Sequence, residues 1–248
     1  MTLEAQQKVS DLFNSIVSDP NLRFEFNLFD KSVNQKLWSA THCCEELSKI
    51  DIHDFLEPLY ITSTQHINSY STTTQSKGLN FERYCSYLHL LLDGFFVNSM
   101  SILDTLAHEI WTLYDFQQKP REVSVKKVRD NLVNFHPNSK LGTFLDRRLK
   151  QPWFEQFKCY RNCTTHESLI GINGVKVIYN PITGEIEGSK IRLPDDPYIR
   201  PFTYRRNREA TQYCKFMLRN IQSLAIKVYE IILIDINGAN NLIPIPKI

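Results

Sequence analysis

Residues 81–114 read FERYCSYLHLLLDGFFVNSMSILDTLAHEIWTLY. Leu88, Leu91, Leu92, Phe95, Ile102, Leu103, Leu106, Ile110 and Leu113 recur at three- and four-residue spacing. That period predicts one helix over Phe81–Tyr114 with a wide apolar stripe. At about 1.5 Å per residue the helix spans roughly 50 Å. A helix this long in a small protein serves as the spine of a bundle. Gly94 marks either close packing or a bend. The most apolar part, Leu88 to Leu106, still holds Asp93, Asn98 and Asp104. Such groups are expensive in a bilayer, so the stretch reads as a buried helix rather than a membrane span.

Further helices are predicted on the C-terminal side, at about 122–135, 139–149 and 151–170. Pro152 suits the first turn of the last of these, and Gly171 and Gly174 suit its end. Val175–Tyr179 and Glu185–Leu193 are β-type runs around Asn180-Pro181-Ile182-Thr183-Gly184, which makes a hairpin at about 174–193. Pro194, Pro197 and Pro201 belong to an extended connection. Arg208–Asp235 is the final long helix, and the tail from Gly238 to Ile248 is not helical.

On the N-terminal side, Leu3, Val9, Leu12, Phe13, Ile16 and Val17 predict a helix over 2–17, stopped by Asp19-Pro20. Leu22 to Phe29 alternates apolar and polar residues and reads as a strand. Helices are expected at 34–50 and 52–67, the second with a kink at Pro58. Ser69–Asn80, rich in Ser, Thr and Gln, reads as a loop. The expected fold is therefore mainly α. A helical bundle over 81–236 carries one inserted hairpin, residues 1–80 form a helical extension packed on it, and 237–248 form a tail.

The chain has 248 residues, 23% charged and 42% hydrophobic, with a net charge of +2. This is an ordinary globular composition, long enough to bury a sizeable core. Bulk charge is too small to draw in nucleic acid, so any such binding rests on local clusters. The first residues lack the apolar core of a signal peptide, and a cytoplasmic location, off the membrane, is the expectation. Cys43, Cys44, Cys85, Cys159, Cys163 and Cys214 contain no CxxC pair. Cys159 and Cys163 would share a helix face, as half a metal site or as buried thiols. No metal or other cofactor is expected, and the six thiols should be reduced.

Arg161-Asn162-Cys163-Thr164-Thr165-His166 carries the chemistry. On a helix, Asn162 and His166 project together, with Arg161 offset from His166 by about 140°. Arg presents a planar fork to a phosphate, and His moves protons near neutral pH. Asn can orient either the substrate or the imidazole. RNA cleavage needs these parts: the 2′-hydroxyl attacks phosphorus, a base takes its proton, an acid serves the leaving oxygen, and a cation steadies the charge. The bland alternative is a surface or hydrogen-bonded histidine. Arg147, Arg148 and Lys158 precede the motif among Trp153, Phe154, Phe157 and Tyr160, and Arg205 and Arg206 follow it. That mixture suits a single-stranded nucleic acid through phosphate contacts and stacking. Equally, the aromatics could be core and the charges a solvated face. Asp104, with Ser101 and His108 at helical spacing, could pair with Arg161 or His166, or form an ordinary surface ion pair.

The motif resembles the Arg-(four to six residues)-His signature of HEPN domains, with Asn162 at the polar position after the Arg. Ser101-Ile102-Leu103-Asp104-Thr105-Leu106-Ala107-His108-Glu109-Ile110 is similar to a segment of a bacterial HEPN subgroup. The resemblance covers roughly Phe81 to Asp235. It implies a helical bundle and, from many members, a metal-independent endoribonuclease of a defence or toxin system. It also implies a homodimer whose two motifs line one cleft, with single-stranded RNA or a nucleotide as ligand. Arg161 and His166 would then be catalytic, Asn162 supporting, and Asp104 and Ser101 auxiliary. Toxin-type members often carry Tyr two residues after the His, where this chain has Ser168. Other members are inactive binding or assembly modules, so a non-catalytic RNA- or nucleotide-binding module and a structural interaction protein remain alternatives.

Overall fold

The computed structural model describes residues 4–64, 71–114, 116, 123–166, 175–199 and 201–237. Within these, 57–64, 71–79, 81, 166 and 236–237 are described as backbone. Among the described residues there are seven α-helices: α1 (Glu4–Ile16), α2 (Pro20–Lys49), α3 (Phe81–Leu113), α4 (Val125–Phe135), α5 (Lys140–Leu149), α6 (Pro152–His166) and α7 (Ala210–Asn237). Strands β1 (Leu56–Thr64) and β2 (Ser71–Leu79) form one hairpin. Strands β3 (Val175–Tyr179), β4 (Ile186–Leu193) and β5 (Arg208–Glu209) form a small antiparallel sheet. The fold is mainly α, as the periodicity of residues 81–237 predicts.

Helix α3 is the spine. Leu88, Leu92, Phe95, Phe96, Leu103, Leu106 and Ile110 are buried completely. Although α3 is long and apolar enough to cross a membrane by length and composition, 56% of its apolar window is buried inside the protein. Helix α2 packs along α3 and α1 packs on α7, so one core runs from Val9 and Phe13 through Phe26, Leu37 and α3 to Leu224 and Tyr229. At Gly94 an added Cβ would stand 3.0 Å from the Cys43 thiol of α2, so this glycine marks close packing. Two buried hydrogen bonds join α3 to α7. Tyr229 donates to Glu109 at 2.6 Å and Tyr114 donates to Asp235 at 2.6 Å. Burial pushes the Glu109 carboxyl well above its usual range, against the opposing hydrogen bond from Tyr229.

Local chemistry explains the helix starts. The side chains of Asn80, Ser124 and Ser139 accept from the backbone N–H of Arg83, Lys127 and Gly142, as N-caps do. Helix α6 begins at Pro152 and is helical through His166. The expected continuation over 167–170 lies outside the described residues, as do Gly171, Gly174 and the tail from Gly238.

The N-terminal part departs from expectation in three places. Leu22–Phe29 is not a strand but the start of α2. Asp19 caps it by accepting from Asn21 at 2.8 Å, and Pro20 sits in its first turn, so Asp19-Pro20 opens a helix as well as following one. The alternation that suggests a strand arises because this turn is apolar on two faces: Phe26 is fully buried while Phe24 is 69% exposed. The expected helix at 52–67 is a single 3₁₀ turn, Ile52–Phe55, followed by β1. The expected loop over Ser69–Asn80 contains β2, paired with β1 from Leu56↔Leu79 to Thr64↔Ser71. β-Branched Ile61, Thr62, Thr64, Thr72, Thr73 and Thr74 favour extended backbone there. Arg208 and Glu209, placed at the head of the last helix by the sequence, instead pair with Leu193 and Arg192 as β5.

The hairpin β3–β4 forms as the sequence predicts. Asn180 turns the chain by accepting from the N–H groups of Ile182 and Thr183, and Gly184 takes a φ of +71° that favours glycine. Tyr84 of α3 and Ser189 of β4 are hydrogen-bonded at 2.6 Å, which ties the sheet to the head of the spine.

Candidate active site

Helix α6 presents two different surfaces. Phe154, Phe157, Tyr160 and Cys163 recur every three residues and are buried. Phe157 and Tyr160 pack on Phe96 of α3. Base stacking by Phe154, Phe157 and Tyr160 is therefore overturned, because burying them is what seats the helix on the core. Trp153 is half-buried and also engaged. Its indole N–H donates to Gln151 at 2.7 Å, and the Arg148 guanidinium lies 5.6 Å from its ring centre.

The flank beside this apolar face carries Lys158, Arg161 and Asn162. Arg161 donates from Nη1 to Asn162 Oδ1 at 3.1 Å. The hydroxyls of Thr164 and Thr165 each donate to the Arg161 carbonyl at 2.8 Å. His166 is the last residue of α6 and stands four positions after Asn162, on the same helix face. Its side chain lies outside the described residues.

Across from α6, α3 contributes Asp104, which is half-buried. Burial pushes its carboxyl above the usual range, while the positive charges of Arg161 and Lys36 pull it back down. The two side chains feel each other's charge, but among the described residues no ion pair joins them, and the Arg161 guanidinium donates to Asn162 instead. Lys36, from α2, is the residue that sequence reasoning missed. Its ammonium donates to Thr105 Oγ1 at 2.6 Å and to the Ser101 carbonyl at 3.5 Å. Ser101 takes part through this backbone oxygen, which also accepts from Thr105 at 2.8 Å. Burial pulls the Lys36 ammonium below its usual range, and Asp104 opposes that shift. His108, one turn further along α3, stacks on Phe29 with centroids 4.9 Å apart. Burial and then the Lys36 charge lower its proton affinity.

Asp104 also lines a cavity of about 540 Å³ between α3, α4, the end of α5 and α6. Lys126, Arg129, Lys150 and Lys158 form its basic wall, with Met100 and Phe154 beneath. Arg129 is tied to Asp130 at 2.7 Å and Asp146 at 3.3 Å. Lys158 is 3.8 Å from Glu155, which also lines the cavity, and Lys150 is 2.7 Å from Asp146, so three of the four cations have carboxylate partners. The cavity reaches α6 at Phe154, Glu155 and Lys158, the last about one turn before Arg161, and takes in Asp104 of α3. Its size is that of a small-molecule or nucleotide pocket.

The remaining basic residues are not gathered around this cavity. Arg205 and Arg206 sit on an exposed turn organised by Asp195, whose carboxylate accepts from their backbone N–H groups at 2.7 and 2.9 Å and from Thr203 at 2.9 Å. Arg208 holds that turn against α6, donating to the Tyr160 hydroxyl at 3.0 Å and the Asp195 carbonyl at 3.1 Å. The Tyr160 hydroxyl donates in turn to the Pro194 carbonyl. Burial pushes Tyr160 up to about 12, against the opposing Arg208 charge. Arg147 and Arg148 lie on a different groove, between α5 and α7. Among the described residues, no group of three or more His, Cys, Asp or Glu side chains is placed to hold a metal ion.

A helical bundle with an Arg-Asn-x₃-His helix seated on a long central helix is the architecture of a HEPN-type domain. The family model described as HEPN_Cthe2314-like HEPN matches residues 23–230, and the chain belongs to that family. Neither a curated protein nor a solved structure matches it. The match begins at Arg23, within α2, so it takes in Lys36 as well as the α3 and α6 positions.

Proposed function

We propose that this chain is a HEPN-type endoribonuclease acting on single-stranded RNA without need of a metal. Arg161 grips the scissile phosphate and steadies the negative charge of the phosphorane. The His166 imidazole takes the proton from the 2′-hydroxyl as its oxygen bonds to phosphorus. The 5′-oxygen leaves and receives a proton from an imidazolium, giving a 2′,3′-cyclic phosphate and a free 5′-hydroxyl. Asn162 fixes the Arg161 guanidinium through the 3.1 Å hydrogen bond. In a homodimer, the second copy of the motif supplies the second imidazole.

The observation that carries this reading is the Arg161–Asn162 hydrogen bond on α6, with His166 four positions after Asn162 on the same helix face and Asp104 of α3 within electrostatic reach of Arg161. The test is cleavage of a fluorescent single-stranded RNA in excess EDTA. His166→Ala and Arg161→Ala should each slow it by about 10²–10⁴-fold. Equal rates in all three proteins would sink the assignment. A second reading, a non-catalytic RNA- or nucleotide-binding module, draws on Ser168 where toxin-type members carry Tyr. It predicts salt-sensitive binding with no product in any of the three.

A further inference from the structure

The groove between α5 and α7 has a volume of about 570 Å³ and lies apart from the motif. Its walls are Arg147 and Arg148 from α5 and Arg219 from α7, with Phe144, Gln222 and Ile226 between them. A fourth cation at its edge, Lys227, is matched by Glu230 at 2.8 Å. The three arginines are not matched. Arg147 and Arg219 are exposed and join no ion pair among the described residues. Arg148 is half-buried. Its Nη1 donates to neutral Gln151 at 2.9 Å, and its Nε is buried with no hydrogen-bond partner. Burial and then the neighbouring Arg147 charge both disfavour the Arg148 guanidinium. The groove thus gathers three arginines without a carboxylate partner among the described residues, and Arg148, though it lies over Trp153, leaves its buried Nε as a donor that an anion can take.

The shape favours a phosphodiester strand over a single small anion. The arginines come from two helices and flank a partly apolar floor, Phe144 and Ile226, on which a base can rest. The basic line also continues around the corner between α5 and α6. Arg147 and Arg148 face this groove, while Lys150, two residues on, lines the cavity beside Asp104 and Lys158. Beyond that corner, α6 rises by roughly 14 Å from Pro152 to Arg161.

The geometry points to a second RNA-binding site in the α5–α7 groove, where Arg147, Arg148 and Arg219 hold backbone phosphates several nucleotides away from the bond cleaved at Arg161 and His166. It rests on the ribonuclease reading for the identity of its ligand. It adds that affinity for long RNA and the chemical step reside in different places.

The experiment measures binding and cleavage on separate probes. A fluorescein-labelled 12-nucleotide oligouridylate with 2′-O-methyl riboses cannot be cleaved by 2′-hydroxyl attack, so its anisotropy reports binding alone. Arg147→Gln/Arg219→Gln removes two phosphate contacts. The slope of log Kd against log salt should flatten by about 1.4, with a roughly 25-fold loss of affinity at 0.1 M salt, at about 0.7 per contact for a single strand. Lys8→Gln/Lys49→Gln removes the same charge from α1 and the end of α2, and should leave the slope unchanged. Cleavage of the dinucleotide uridylyl-3′,5′-uridine, too short to reach the groove, should be the same in the arginine variant as in the wild type. Equal slopes in the two double variants, or no binding of the oligonucleotide by the wild type, would overturn the groove assignment. Failure of dinucleotide cleavage in every protein would overturn the catalytic reading while the binding result still stood.

Discussion

Replacing Asp93 by Asn should stabilise the protein at alkaline pH and do almost nothing at acid pH. Asp93 lies on the outward stripe of α3 between Leu90, 67% exposed, and Val97, 41% exposed. Its Oδ1 is buried with no hydrogen-bond partner, and burial pushes the carboxyl up to about 6. His89, one turn earlier, offers no counter-charge, because burial lowers its own proton affinity. The folded protein therefore binds a proton here that the unfolded chain, with an aspartate near 3.9, does not. Stability is lost as pH rises from about 4 to 6, and the loss is complete above that window. A shift of about two units corresponds to about 3 kcal/mol for a dry site. Asp93 is only half-buried, so solvent screening leaves about 1–1.5 kcal/mol. Asparagine keeps the shape and removes the charge. Urea melts should show Asp93→Asn more stable by that amount at pH 8, by about half as much at pH 5, and nearly equal to wild type at pH 4. The thermal midpoint at pH 8 should rise by roughly 3–5 °C. A gain independent of pH, or a loss at pH 8, would refute the reasoning and mean that a partner compensates the carboxylate in solution.

Two further substitutions test how the site is held. Gly94→Ala drives a methyl to 3.0 Å from the Cys43 thiol, which offsets the gain of about 1 kcal/mol that alanine brings to a helix interior. In a Cys43→Ala background that gain should appear in full in thermal melts, and identical effects in both backgrounds would show that the α2–α3 approach is not limiting. Asp195→Asn removes the charge that anchors two backbone N–H groups of the Arg205–Arg206 turn. Hydrogen exchange at these two amides should speed up about fivefold, the equivalent of about 1 kcal/mol, while the α7 core amides stay protected; unchanged exchange would show the turn is held by Arg208 alone.

The bundle was legible where periodicity is clear. Residues 81–113 carry one apolar stripe and Pro152 marks a helix start, while the N-caps at Asn80, Ser124 and Ser139 emerge only with the structure. The N-terminal part was harder for two physical reasons. Helix α2 exposes Phe24, Leu28 and Trp38 to solvent, so its apolar residues do not fall on one face and its first turns imitate a strand. Strand β2 is almost wholly polar, STTTQSKGL, so no alternation separates it from a loop. Only pairing with β1 makes it a strand, and that pairing is not local.

The site divides along the same line between local and non-local information. Arg161 and Asn162 are adjacent, so a one-dimensional reading brings them together, and helical spacing singles out Asp104. Lys36 is brought to Asp104 only by the packing of α2 along α3, for which residues 34–50 contain no signal. The basic flank shows the converse. Arg147, Arg148, Lys158, Arg205 and Arg206 look like one surface when counted along the chain. The turn at Gln151-Pro152 sends the first two toward α7 and leaves Lys158 facing α3 and α4, and Asp195 draws the last two into a separate loop. The interleaved aromatics, which suggest base stacking, are what permits this separation. By burying Phe154, Phe157, Tyr160 and Cys163 every third residue, α6 commits one face to the core. Its charged residues are then forced onto the flank where Lys158 shares a cavity with Asp104 and Arg161 feels its charge.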